Sequence, residues 1–300
     1  MKKKLLITGA SGFLGWNICV NAASEWHVFG VCNTNSVNVG RVTSIRLNLI
    51  DYAELRNVFS DIRPDAVIHA AAYSQPNYCE RNPLETRKVN VEVPSNIAGL
   101  CADFRVPCVF TSSDLVFDGL KPPYAETSEV NPICVYGEQK AEAEEAMLRR
   151  YPETAICRMP LMFGYTEGAG KSFDPQMIRT LLEGKRIRLF SDEYRTPVDS
   201  ESAAKGLLLM LSKVRGIIHL GGRTRISRYE MGQIVARLLN IDKSLIKPVL
   251  QNDISMPARR PPDVSLVSSK AYTIGYDPHD IEAAYQEILI RSKFLSGVQK

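Results

Sequence analysis

No stretch of this sequence reaches the roughly twenty consecutive apolar residues that a membrane-spanning helix needs, so no contact with a bilayer core is expected. The charged opening MKKK leads into only three apolar residues, Leu5 to Ile7, before a glycine turn begins, which is too short for a secretory leader. Paired cysteines are lacking too. The seven cysteines (19, 32, 79, 101, 108, 134 and 157) are odd in number and contain no C-x-x-C pair, which argues against a disulfide framework and against a zinc site. A reducing, cytoplasmic setting is the expectation, with residues such as Cys108 in VPCVF acting as small apolar side chains. Apart from Lys2 to Lys4 and the Arg259–Arg260 pair, basic residues are scattered, and a net charge of +4 supplies no stripe for nucleic acid. Internal repeats and low-complexity tracts are absent.

What is present is an ordinary globular composition, 45% hydrophobic and 23% charged over 300 residues, enough for one large domain with an appended lobe. Apolar runs alternate with helical patterns through the first half: LLIT, a helix from about Gly12, HVFGVC, IRLNL, a helix over Tyr52 to Ile62, AVIHAA, a helix over Leu84 to Phe104, then VPCVFTSS. A further helix over Cys134 to Arg150 and the strand TAICRM follow. That order implies an α/β fold with a parallel sheet covered on both faces, whose ligands bind at the carboxyl ends of the strands. Beyond Pro160 the alternation loosens, with helices expected over Pro175 to Glu183 and Ser227 to Leu239 and a buried strand in GIIHLGG. Residues 1–160 therefore read as a dinucleotide-binding unit. Residues 161–300 read as a smaller, partly interleaved substrate lobe, with about 195–222 returning to the first unit.

The stretch TGASGFLG places Gly9 and Gly12 between a short strand and a helix that opens with Phe13 and Leu14, and Gly15 in the first turn of that helix. A dinucleotide pyrophosphate needs that arrangement: one glycine for the turn, one for close approach of the phosphates, and one for helix–strand packing, with free N–H groups at the helix end. Thr8 and Ser11 are expected to add hydroxyl donors. Downstream, Tyr136 and Lys140 stand four apart in YGEQK, on one face of a helix. A nearby cation favours phenolate, which predicts a lowered tyrosine pKa and a hydroxyl able to transfer protons near neutral pH. Ser113, at the end of the strand FTSS, could hydrogen-bond the same substrate oxygen. Each residue also has a bland reading, as surface decoration or as a serine bonding its own backbone.

Taken together, TGASGFLG, HAAAYS, Asn90 in KVNVEVPSN, TSSDLVFDG and YGEQK resemble the extended short-chain dehydrogenase/reductases. SSDLVFDG, PPYAETSEVNPICVYGEQKAEAEEA, RTPVD and ARRPPDVSLVSSKA narrow the resemblance to the dTDP-4-dehydrorhamnose reductase family. It implies a Rossmann-type doubly wound sheet, catalysis by Ser113, Tyr136 and Lys140, and a cofactor held by Gly9, Ser11, Gly12, Phe13, Leu14 and Gly15. It further implies that Ala70, Ala71 and Ala72 line the nicotinamide side, and that Asn90 supports the strand-end backbone or a water near Lys140. Substrate contacts are implied for Ser74, Asp114, Phe117 and Arg195, the last as a diphosphate ligand. Arg158 is expected to be structural. Metal ligands are not expected.

Two absences shape the finer expectations. Where the family commonly carries an aspartate facing adenine, this chain has Leu47-Asn48-Leu49, leaving Asn48 and Leu49 at the base. At the end of strand two, where a carboxylate would select NAD, stand Cys32 and Asn33. The expected cofactor is therefore NADP(H), with Arg41 able to supply positive charge if its loop folds back, and NAD(H) as the alternative. The implied activity is reduction of a keto group on a nucleotide-activated deoxysugar, by an enzyme that could form a homodimer. An epimerase or dehydratase on the same scaffold, or a regulatory subunit like that of methionine adenosyltransferase, are the alternatives. The acid–base pair of a dehydratase is missing, since Asp114-Leu115 follows Ser113.

Overall fold

The computed structural model describes residues 2–167, 170 and 172–292. Met1 and residues 293–300, included in the two expected units, lie outside that description. Strands β1 (Lys4–Thr8), β2 (His27–Cys32), β3 (Val42–Arg46), β4 (Ala66–His69), β5 (Cys108–Ser113), β6 (Ala155–Met159) and β7 (Gly216–His219) form one parallel sheet. Their spatial order is β7-β6-β5-β4-β1-β2-β3. The chain thus winds outward from β1 to β3, then crosses to β4 on the other side of β1. That reversal opens a crevice between the carboxyl ends of β1 and β4.

Period-two side-chain alternation sorts each strand between the two faces. Leu5, Ile7, Ala66, Ile68, Val109, Ala155 and Cys157 join the core under the helices Phe13–Ala22 and Ser200–Lys213. Leu6, Val67, Phe110 and Ile156 join the opposite core, under the helices Tyr52–Ile62, Val93–Phe104 and Val135–Arg150. Burial on both faces explains why these strands read as continuous apolar runs. A third core, around Met177, Met231, Val235 and Tyr285, belongs to residues after β6, including the helices Asp174–Leu182 and Arg228–Leu238.

Two segments differ from the sequence expectation. The strand expected over IRLNL ends early, at Arg46, because Asn48 turns the chain: its carbonyl accepts from Asp51 N–H and its side-chain oxygen from Ile50 N–H. Asp51 then caps the next helix through Glu54 N–H. The helix expected over Leu84–Phe104 is broken into Pro83–Arg87, a π-helical turn Lys88–Glu92, and Val93–Phe104. Pro94 lacks the N–H that a continuous helix would use and sits instead in the first turn of the new one. The wider turn brings Asn90 inward, where it is fully buried.

Candidate active site

At the carboxyl edge of the sheet lies a cavity of about 660 Å³, bounded at one end by the glycine turn and at the other by Ser113, Tyr136 and Lys140. Gly9 takes a left-handed φ of +70°, and a Cβ there would stand 2.7 Å from the Ala71 nitrogen, so only glycine lets the ends of β1 and β4 approach this closely. A Cβ on Gly15 would overlap the Gly9 carbonyl, which makes it the close-packing glycine. On Gly12, the residue capping the helix Phe13–Ala22, a Cβ would have only the Gly9 oxygen within 4 Å among the described residues, at 3.2 Å. The first-turn N–H groups of this helix have no carbonyl of their own helix to bond. A glycine turn at a helix N-terminus is what a dinucleotide pyrophosphate fits, and here the Gly170 backbone lies so close to it that a Cβ on Gly170 would overlap the Phe13 nitrogen. Gly170 approaches the same turn, donating its N–H to the Ser11 carbonyl at 3.2 Å. Thr8 plays a different part from the expected donor. It is buried, with its hydroxyl 2.6 Å from His69 Nδ1 and accepting from Ala71 N–H.

At the other end, Tyr136 and Lys140 share a face of the helix Val135–Arg150, the Lys140 Nζ lying 5.8 Å from the Tyr136 ring centre. Ser113, the last residue of β5, lines the same cavity as Tyr136. Its hydroxyl donates to Asp114 Oδ1 at 3.2 Å and accepts from Leu115 N–H at 3.1 Å. The expected lowering of the tyrosine pKa is not found. Burial dominates and pushes the phenol above its ordinary value, with Cys79, Asp114 and Cys134 adding to the rise and Ser113 opposing it. Lys140 is itself buried, donating to the Thr111 carbonyl at 2.8 Å, and burial brings its pKa down to about 7 against the upward pull of Glu144. Cys134, two residues before the tyrosine, is buried with its thiol pushed up chiefly by burial, the opposite of what a reactive thiolate needs.

A charged cluster closes the wall beside Ser113. Arg195 is buried and donates to Glu193 Oε1 at 2.9 Å and to the Tyr194 and Pro261 carbonyls. Its Nε stands 3.3 Å from Asp114 Oδ2, an ion pair whose geometry does not make a hydrogen bond. Burial raises Asp114 to about 6 even though Arg195 works to lower it. Arg228 and Arg260 also line the cavity. The Arg228 Nε is 3.8 Å from Glu193 and its guanidinium lies 4.7 Å over the Phe173 ring. Arg260 donates to Asn77 Oδ1 at 3.1 Å.

Residues 3–293 match the RmlD substrate binding domain. The chain belongs to this family. It is 30% identical over 285 residues to methionine adenosyltransferase 2 subunit beta of Xenopus tropicalis, covering 91% of this chain and 83% of that protein. It is 31% identical to a hypothetical dTDP-4-dehydrorhamnose reductase from Sulfolobus tokodaii, whose solved structure superposes with a TM-score of 0.81 over 94% of this chain and 98% of the other. The fold is shared more closely still, at a TM-score of 0.86 and 21% identity, with dTDP-4-dehydrorhamnose reductase from Bacillus anthracis in complex with NADP, over 97% of this chain and all of that one.

Within this RmlD-domain chain, most of the expected site residues meet in the one cavity: Gly9, Ser11 to Gly15, Asn33, Asn48, Leu49, Ala70 to Ala72, Ser74, Asp114 and Arg195 line it along with Ser113, Tyr136 and Lys140. Three do not. Arg41 precedes β3 and so lies at the amino edge of the sheet, roughly 16 Å of extended chain from the ligand edge at ~3.3 Å per residue. Phe117 is fully buried in a core with Tyr124 and Leu266, its ring stacked 4.2 Å from Tyr124. Asn90 is spent on protein groups: it accepts from Tyr73 N–H and donates to the Tyr73 carbonyl and Gln139 Oε1, bracing the Ala70–Tyr73 segment against the tyrosine helix. Arg158 is structural, making a buried two-pronged bond to Glu144. Sequence reading missed Arg228 and Arg260. The basic pair in ARRPPD was visible, but nothing local to it points to a site in β1–β5.

Proposed function

We propose that the chain is an NAD(P)H-dependent reductase of a keto group on a nucleotide-activated deoxysugar. One observation carries this reading: Ser113, Tyr136 and Lys140 line the same cavity as the glycine turn. The bound nicotinamide would supply the hydride. Held above its ordinary pKa, the Tyr136 phenol rests protonated and is the acid that gives its proton to the carbonyl oxygen. Ser113, which lines the same cavity, would donate to that oxygen and orient it. The phenolate left behind is costly in a buried site unless a cation is near. Lys140, one turn along the same helix with its Nζ 5.8 Å from the Tyr136 ring centre, would be that cation. Gly12 and the first turn after it would hold the pyrophosphate, and Ala70 to Ala72 would border the nicotinamide. Because Arg195 is engaged by Asp114 and Glu193, Arg228 and Arg260 are the better ligands for the sugar nucleotide's diphosphate. NADP(H) is the preferred cofactor in this reading, since no carboxylate stands at the end of β2 to repel a 2′-phosphate.

The test is reduction of a dTDP-4-keto-6-deoxysugar followed by loss of NADPH absorbance, with the product identified by mass. A regulatory reading is favoured by the similarity to a methionine adenosyltransferase beta subunit. Cofactor binding without turnover on any keto-sugar nucleotide would select it and overturn the reductase.

A further inference from the structure

We propose that Arg46, at the carboxyl end of β3, is the residue that binds the 2′-phosphate of NADP(H). This rests on the dinucleotide reading above and names the group that selects between its two cofactors. In the β2–β3 register Cys32 faces Arg46, and Leu47 N–H donates to the Cys32 carbonyl at 2.9 Å, so Arg46 stands level with the last residue of β2. Its Nε donates to the Asn33 carbonyl at 3.3 Å, which ties the guanidinium to the rim of the cavity where Cys32, Asn33 and Thr34 form the wall. In a doubly wound sheet the adenosine ribose hydroxyls are met at that strand end.

Three features suit a phosphate there. Arg46 has no carboxylate partner among the described residues, so its charge is uncommitted. With Nε anchored, the two terminal nitrogens form a planar fork, the geometry that takes two phosphate oxygens at once. Asn33 and Thr34 are exposed neutral neighbours that add no repulsion. Arg41, the cation nearer in the loop, is exposed at the opposite edge of the sheet and has no path to the same point without unfolding β3.

The experiment is fluorescence titration of NADPH and NADH at low salt with the wild type, Arg46→Ala, Arg46→Lys and Arg41→Ala, repeated with 2′,5′-ADP and 5′-ADP as fragments without nicotinamide. Arg46→Ala is expected to weaken NADPH and 2′,5′-ADP by about ten- to a hundredfold, the range for hydrogen bonds to a charged group, with NADH and 5′-ADP within about twofold. Arg46→Lys should fall between, and Arg41→Ala should match wild type. An unchanged NADPH-to-NADH ratio in Arg46→Ala overturns the proposal while leaving the dinucleotide reading intact. A wild type that binds neither dinucleotide overturns both.

Discussion

The Lys140 ammonium donates to the Thr111 carbonyl at 2.8 Å while standing 4.5 Å over the Phe110 ring, with 1% of the residue exposed. A cation in such a place costs stability. The unfolded chain keeps this proton up to the ordinary pKa of 10.5, whereas the folded chain releases it near 7. Between those values the unfolded state binds more protons, so this group makes stability rise with pH, and the full cost is felt below about pH 7. Lys140→Met should therefore raise the melting temperature by several degrees at pH 6, less at pH 9, while turnover is lost. Calorimetry at the two pH values checks it, and equal shifts at both would exclude a buried ammonium.

Removing only the phenol oxygen isolates the proton donor. Tyr136→Phe should lower kcat by roughly 10²–10⁴, the contribution of a positioned acid, and leave the NADPH dissociation constant within about twofold. Steady-state kinetics at saturating substrate, paired with cofactor titration, separates the two quantities. Near-normal turnover would remove Tyr136 from the mechanism.

The glycines of the turn should fail in different ways. Gly15→Ala drives a methyl into the Gly9 carbonyl, and overpacking against backbone should cost about 1–3 kcal/mol or more, seen as a lower urea midpoint. Gly12→Ala meets only the Gly9 oxygen among the described residues and should melt close to wild type but bind either dinucleotide more than about tenfold more weakly, because the methyl takes the space of a phosphate. Equal melting temperatures for the two variants would contradict this division of labour.

Arg195 holds two buried carboxylates, Asp114 and Glu193, at 3.3 and 2.9 Å. Arg195→Ala leaves both without their strongest partner and should cost about 3–5 kcal/mol in urea unfolding. Adding Asp114→Asn and Glu193→Gln to the same chain should restore part of that loss. Full stability in the single variant would show that the cluster is not held by this arginine.

Local chemistry made much of this molecule legible in one dimension. The glycines that follow β1 and run into the next helix, and a tyrosine and lysine one turn apart, each act on neighbours a few residues away. Their geometry follows from backbone rules that need no distant partner. Other outcomes belong to the fold alone. The sign of the Tyr136 shift depends on how much water is excluded, and burial outweighs the lysine that spacing places nearby. Which end of β3 meets the ligand separates Arg46 from Arg41, five positions apart, and only the parallel pairing with β2 decides it. Asn90 is spent on Tyr73 and Gln139 because a π-helical turn directs it inward. Arg228 and Arg260 reach the cavity from segments more than ninety residues beyond Tyr136. Desolvation, strand direction and contacts across long sequence separations are set when distant segments pack together, and no short window of sequence carries them.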